Sequence, residues 1–260
     1  GSRRGRGGGS WRRRVEFLSS IKGHQVLIFG ALTLLLLLGL VFTRSRAGVA
    51  LAMVGLFLSL LLFARRLGGT NVYGTLGSVA AVAVILAAEI GLAPVLNRFA
   101  SDPLQDARWT IFSGALEGIG RFFPLGSGAG TFDQVYPRFQ ATELGGYFVN
   151  NAHNDYLEAL FEGGIFSLLL LLAGLWVLLR QWPRLMHQGR WGSFRFIQAG
   201  AGIGVLLMLM HSLVDFNLHI PANAVIFAFL TAVFLKECQE EHEGRRRRRR
   251  SVPREQRPET

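Results

Sequence analysis

Apolar residues in this chain gather in long uninterrupted stretches, with the charged residues placed between them, rather than in the scattered distribution of a soluble domain. The stretches cover residues 25–43, 47–64, 72–94, 164–180, 197–217 and 219–235, and the first contains the run Leu34–Leu38. About 17 to 23 apolar residues in a helix suffice to cross a bilayer core, so each stretch is expected to be a span. The pattern predicts an all-α integral membrane protein of about six transmembrane helices. Glu89 is the only acid deep within a predicted span, while His211 and Asp215 lie near the end of the fifth. Short connections join the spans, except that 95–163 separates the third from the fourth. Connections of that length are functional or disordered, and this one holds too many aromatic and apolar residues for disorder.

Inside the long loop, Leu104, Ala107, Trp109, Ile111, Phe112, Ala115, Leu116 and Ile119 recur at roughly helical spacing. They predict an amphipathic helix at the outer membrane surface, with Arg108 and Trp109 near its start. The glycine-rich stretch Phe123–Phe132 follows. It admits two readings, a cradle for phosphate or a tight turn returning the loop to the membrane. Its spacing matches neither a Walker pattern nor a dinucleotide fingerprint, which favours the turn.

Charge adds orientation. The net charge of +11 would point to nucleic acid if the basic residues formed one face of a folded domain, but they lie between the spans. Counting alternate connections, 22 Lys and Arg fall on one side and six on the other. The positive-inside rule then makes both termini cytoplasmic and turns 95–163 outward. The expected organisation is a basic cytoplasmic tail over 1–24, a membrane domain over 25–235 and a second basic tail over 236–260. The run Arg245–Arg250 reads as a tail held to anionic lipid headgroups, with nucleic acid as the lesser reading. The lone Cys238 offers no disulfide framework. The first 14 residues lack both an initiating Met and a small-residue cleavage site, and so read as a tail or truncation boundary rather than a signal peptide.

Candidate chemistry concentrates in His153–Gly164, where ionisable groups run directly into a span. Asn150, Asn151 and Ala152 are plausible capping residues, which places His153 in the first turn of a helix. A helix N-terminus disfavours the imidazolium, so a neutral ring able to accept a proton is expected. At 100° per residue, Asp155, Glu158 and Glu162 share one face while His153 and Glu162 point apart. Glu162 therefore reads as a structural tether for the loop or another helix. Asp155 and Glu158 remain open between solvated, ion-paired and catalytic roles.

Arg44, Arg46, Arg108, Arg121 and Arg138 form an outward set of guanidinium groups suited to phosphate oxygens. For Arg44 and Arg46, snorkelling to lipid phosphates is the alternative. His211 and Asp215, with His219 beyond them, read either as a proton relay or as a tie between helix ends. No set of His, Cys and carboxylate residues has the spacing of a closed metal site, and no metal is expected.

Three features in order resemble the C-terminal, catalytic portion of the O-antigen ligase and O-antigen polymerase superfamily, which includes bacterial protein O-oligosaccharyltransferases. Thr43–Gly48 is similar to its Ser/Thr-Arg-Gly/Ala turn. Arg108–Ile111 followed by Pro124–Phe132 is similar to its Arg-containing helix and Pro-Leu-Gly-x-Gly-x-Gly-x-Phe turn. His153 and Asn154, with Leu157, Glu162 and Gly164, resemble its His-Asn-x-x-Leu-x-x-x-x-Glu-x-Gly signature.

The resemblance implies a metal-independent, inverting glycosyltransferase that takes a glycan from an undecaprenyl-pyrophosphate carrier to an acceptor hydroxyl. His153 is then the candidate general base, and Arg46 and Arg108 are candidates for holding the pyrophosphate. Asn154, Glu162, Arg44 and Asp215 are candidate supporting residues. Arg121 and Arg138 match no family position. The implied partners are a lipid-linked oligosaccharide donor, a glycolipid or other hydroxyl acceptor and membrane lipids, with no cofactor and no nucleic acid. The implied location is the bacterial inner membrane, with the loop periplasmic.

Polymerase and protein-glycosylating activity would use the same chemistry on other acceptors. A proton-coupled transporter using His211, Asp215 and Glu89, or a non-catalytic scaffold, are the readings of another class. Family members have about twice as many spans, so the chain is expected to be a fragment whose missing helices contribute to the lipid groove.

Overall fold

The computed structural model describes residues 20–43, 45–67, 103–187 and 191–237. The predicted span 72–94 with Glu89, Arg44, Cys238, the run Arg245–Arg250 and most of both tails lie outside them. All regular structure among the described residues is helical: α1 (Ile21–Phe42), α2 (Arg46–Leu67), α3 (Pro103–Phe122), the short α4 (Phe132–Val135), α5 (Asp155–Met186), α6 (Ser193–His211) and α7 (Pro221–Leu235), with short 3₁₀ turns between some of them. Helices α5 and α6 are long and apolar enough to cross a membrane. Shorter apolar stretches are Leu27–Leu40 in α1, Ala47–Phe63 in α2 and α7 itself.

The chain divides between Ala52 and Met53 into two compact units. In the first, the turn after α1 closes locally, and the Ser45 hydroxyl accepts the Gly48 amide at 3.1 Å to cap the start of α2. Arg46 is the first residue of that helix.

In the second unit, α6 and α7 pack antiparallel along a stripe of small residues. A side chain at Gly202 would meet the rings of Phe234 and Trp182, and one at Gly204 would meet Leu230. Small residues let helix backbones approach where lipid supplies no hydrophobic contrast. Gln181 donates to the Phe234 carbonyl at 2.9 Å and Gln198 to the Lys236 carbonyl at 2.5 Å, satisfying the open C-terminal end of α7. On the rest of α5, Phe166, Leu170 and Trp176 stay exposed. A continuous exposed apolar face of this kind is that of a membrane protein.

A separate core sits where the long loop meets α5. Phe161 is fully buried among Phe132, Phe122 and Phe139, with ring centroids 5.0, 5.7 and 6.0 Å away. Burying a phenylalanine is worth about 1.5–3 kcal/mol, and each aromatic pair adds about 0.5–1.5 kcal/mol. The loop is therefore a packed layer. The helix predicted at 104–119 is present as α3, but its inner face differs from the expected one. Ile111, Gly114, Ala115 and Gly118 are buried, whereas Trp109 and Leu116 are exposed. The glycines decide this, because a side chain at Gly118 would collide with the Phe161 ring and one at Gly114 with the Phe139 carbonyl.

Two boundaries depart from the hydropathy pattern. The span predicted at 164–180 begins nine residues earlier as α5, because Asn154 supplies an N-cap: its side-chain oxygen accepts the amides of Tyr156 and Leu157 at 3.0 and 3.1 Å. The span predicted at 197–217 ends at His211. Carbonyls near the end of α6 are taken by the start of α5, Leu209 by the Tyr156 hydroxyl at 2.8 Å, Ser212 by the Asp155 amide at 2.9 Å and Leu213 by the Asn154 amide group at 2.9 Å. With partners supplied from elsewhere, those carbonyls have no need of a further helical turn. Residues 212–220 then return the chain to Pro221, whose fixed φ suits the first position of α7.

Candidate functional site

Helix α5 bends sharply at Gly164, where φ is 52° and ψ −131°. A bend there frees helical backbone groups, and the glycine-rich turn takes them up. Ile165 donates to the Pro124 carbonyl at 2.8 Å, while the carbonyls of Phe161 and Glu162 accept the amides of Ser127 and Gly128, each at 2.9 Å. The Glu162 carboxylate continues the pattern, accepting the amides of Gly130 at 2.9 Å and Phe132 at 3.0 Å. Four amides of the turn, those of Ser127, Gly128, Gly130 and Phe132, are thus already committed to α5. Gly126 and Gly164 are the close approach that permits this: a side chain on either would strike the other's segment, at the Glu162 and Pro124 carbonyls respectively.

His153 is placed differently from expectation. It precedes the Asn154 cap and lies outside the helix, with φ at 51°. Asn150, Asn151 and Ala152 do not cap α5, because the Asn154 oxygen already holds its first free amides. A non-glycine residue in the left-handed region is strained by about 1–3 kcal/mol and persists only where its surroundings hold it. Both neighbours are held. The Ala152 amide donates to Glu158 at 2.8 Å, Asn151 donates to Glu158 at 3.1 Å, and Asn154 is fixed to Leu213.

The strained backbone directs His153 toward the 212–220 loop. Its Nδ1 lies 3.7 Å from Asp215 Oδ1, and its ring packs edge-on against Phe216 with centroids 5.1 Å apart. His211 Nε2 approaches the other Asp215 oxygen at 4.0 Å. The Asp215 carboxyl is held below the ordinary carboxylate range, first by the His153 ring beside it, opposed by burial, and further by the Phe216 amide and the charges of Arg108 and His211. A lowered carboxyl contributes stability that is complete above its ordinary range and lost as pH falls through the lowered value. Asp215 lies beyond the end of α6, not within a span.

Three residues singled out by the sequence, His153, Arg108 and Asp215, are therefore within one electrostatic neighbourhood. Asn154 and Glu162 both fix backbone nearby, one at the cap and the other at the glycine-rich turn. Arg44 lies outside the described residues, and Arg121 and Arg138 are exposed.

A second cluster adjoins the first. Asp155 and Glu158 are 6% and 3% exposed, which removes the solvated reading for both. His219 stands between them, with Nδ1 2.7 Å from Asp155 Oδ1 and Nε2 3.2 Å from Glu158 Oε1. Asp155 also accepts the Leu218 amide at 3.0 Å. The hydrogen bond to Asp155 pushes the His219 imidazole above its ordinary range, against burial and with help from the charges of Glu158, Asp155 and Glu162. The stabilisation this brings is complete below the ordinary histidine range and is lost as pH rises through the raised value. The sequence placed His219 in a relay or tie with His211 and Asp215, whereas its contacts are to Asp155 and Glu158. The available signal was the pair of acids in the first turn after an Asn, a pattern that marks a helix start and leaves their far partner unspecified.

Chemically, the first cluster is a histidine with one ring nitrogen turned to a carboxylate and the other free to act on a proton. An arginine charge is nearby. The second cluster is two buried acids bridged by a partly exposed histidine. Together they describe a helical membrane protein carrying a histidine–carboxylate site on a folded loop beside its spans.

A family model described as O-antigen ligase matches residues 31–172, and the protein belongs to that family. Membership brings glycosyl transfer of the ligase or polymerase type, with a lipid-linked glycan as donor and a separate acceptor, in the inner membrane. The match takes in Arg46, Arg108 and His153 and stops before Asp215 and His219. Neither the curated proteins nor the solved structures gave a match.

Proposed function

We propose that this protein transfers a glycan from an undecaprenyl-pyrophosphate carrier to an acceptor hydroxyl at the periplasmic membrane face, by a single inverting displacement. His153 takes the proton of the acceptor hydroxyl at Nε2. The acceptor oxygen then bonds to the anomeric carbon as the bond from that carbon to the pyrophosphate breaks, and the carrier leaves as polyprenyl pyrophosphate. Asp215 faces Nδ1 from 3.7 Å, beyond hydrogen-bond distance, and its charge stabilises the imidazolium that forms. Arg46 and Arg108 hold the pyrophosphate and stabilise its growing charge.

The observation that carries this reading is the approach of His153 Nδ1 to Asp215 at 3.7 Å from a strained backbone position. The membrane arrangement that accompanies it has six spans, cytoplasmic tails over 1–24 and 236–260, and the loop 95–163 in the periplasm. Ligase, polymerase and protein-glycosylating acceptors all present a hydroxyl to the same base.

The test is transfer of O polysaccharide to lipid A–core in cells lacking their own ligase. His153→Ala should lower the rate by about 10²–10⁴-fold, the usual contribution of a general base. Asp215→Asn should lower it less, because the amide still supports the ring. Transfer that persists at the wild-type rate in His153→Ala would remove the base assignment.

A further inference from the structure

His153 and Asp215 belong to different chain segments, and their separation depends on how those segments are tied together. Segment 150–154 is irregular and contains a strained residue, and 212–220 is a loop between two helices. Apart from a 3₁₀ turn over Asn217–His219, neither has a regular element to hold His153 and Asp215 in register. The Asn154 amide group and the Asp155 amide tie the start of the second segment, at the Leu213 and Ser212 carbonyls, and the ties farther along it converge on three side chains.

Glu158 holds the first segment through the Ala152 amide and Asn151. Asp155 holds the second through the Leu218 amide. His219, itself on the second segment, touches both acids, at 2.7 and 3.2 Å. Both carboxylates are nearly sealed from water, so each requires a partner, and a single imidazolium serves both, hydrogen-bonded to Asp155 and ion-paired with Glu158.

We propose that His219 is a positioning residue for the transfer reaction: by bridging Asp155 and Glu158 it locks the segment carrying His153 against the segment carrying Asp215. This rests on the assignment of His153 and Asp215 above. His219 touches no substrate in this role. Its removal leaves two buried carboxylates without their shared cation and loosens 214–220 against 150–154, although the bonds of Asn154 to Leu213 and of the Asp155 amide to Ser212 remain. Glu162 is the further acid whose field reaches His219, while Asp215 and His211 lie on the other cluster.

The discriminating experiment compares His219→Ala, His219→Asn and His219→Gln in the full chain. An Asn amide nitrogen reproduces the position of Nδ1, and a Gln amide nitrogen that of Nε2. Transfer is measured with undecaprenyl-pyrophosphate-linked O polysaccharide as donor and lipid A–core as acceptor, and amide hydrogen exchange is read on 148–158 and 212–220. His219→Ala should lower kcat by about 10- to 100-fold, the cost of misplacing reacting groups by about 1 Å, and leave the donor KM within about threefold. Exchange should rise in those two segments and stay unchanged in α6 and α7. His219→Asn, which keeps the shorter bond, should recover most of the rate. Because the residue acts through His153, adding His219→Ala to His153→Ala should cause no further loss.

Unchanged kcat in His219→Ala overturns the proposal, as does exchange that rises throughout α6 and α7 or a further loss in the double variant. If His153→Ala retains transfer, the base assignment fails and the positioning role goes with it. If His153→Ala is inactive while His219→Ala is unimpaired, the positioning role alone fails.

Discussion

Helix α5 is divided by Gly164 into two parts that follow different rules. Before the bend, Asp155, Glu158 and Phe161 are buried, and the backbone and side chains bond to residues far away in the chain, such as Leu209, Leu213, Leu218 and His219. After the bend, Phe166, Leu169, Leu170, Leu172 and Trp176 are exposed. Over 166–176 this part closes its hydrogen bonds within its own turns and asks of its surroundings only that they be apolar, before Gln181 and Trp182 meet α6 and α7. The first part is specified by individual partners. Changes before the bend and at it should consequently be costly and residue-specific, whereas changes over 166–176 should be tolerated as long as they stay apolar.

The largest structural effect is expected at the bend itself. Gly164→Ala puts a side chain into the Pro124 carbonyl at a positive φ, so both backbone strain and overpacking oppose it. Together these should destabilise the protein by about 2–5 kcal/mol, read by denaturant titration in detergent micelles. A neutral result there would mean that the turn and α5 are not packed backbone to backbone.

Glu162→Ala should have a smaller effect, because it leaves the amides of Gly130 and Phe132 without an acceptor but removes no packing. The expected cost is about 1–3 kcal/mol, with increased hydrogen exchange confined to 126–133. Loss of transfer without any change in stability or exchange would move Glu162 from the turn into the chemistry.

The smallest effect is expected past the bend. Leu170→Ala should shift stability by no more than about 0.5 kcal/mol, as at other positions without a specific partner. A loss of several times that amount would show that this face packs against protein rather than lipid.

The legibility of the two clusters in the sequence differs in the same way. His153, Arg108 and Asp215 were recognisable as functional candidates from residue type, place relative to the spans and the resemblance to a family. Their convergence was not readable, because Asp215 is 62 positions from His153 and no local periodicity links them. The first turn of α5 shows the limit clearly: Asp155 and Glu158 could be placed on a shared face by counting, but their burial and shared partner His219 could not. The position of His153 was mistaken by the same logic, since Asn150, Asn151 and Ala152 all offered caps and only the contacts of Asn154 to Tyr156, Leu157 and Leu213 show that the cap lies after His153.

By itself the sequence determined the helices α1, α2 and α7 to within a few residues, the presence of α6, the apolar run of α5, the amphipathic α3 and the family. These depend on composition and on interactions a few residues apart, which repeat along the chain. Only the tertiary structure decided that α5 starts at Asp155, that the glycine-rich turn serves the bend at Gly164, and that His219 joins two buried acids beside His153 and Asp215. Each of those rests on a single hydrogen bond or close contact between segments far apart in the chain, and the residue that completes it carries no local mark of its partner.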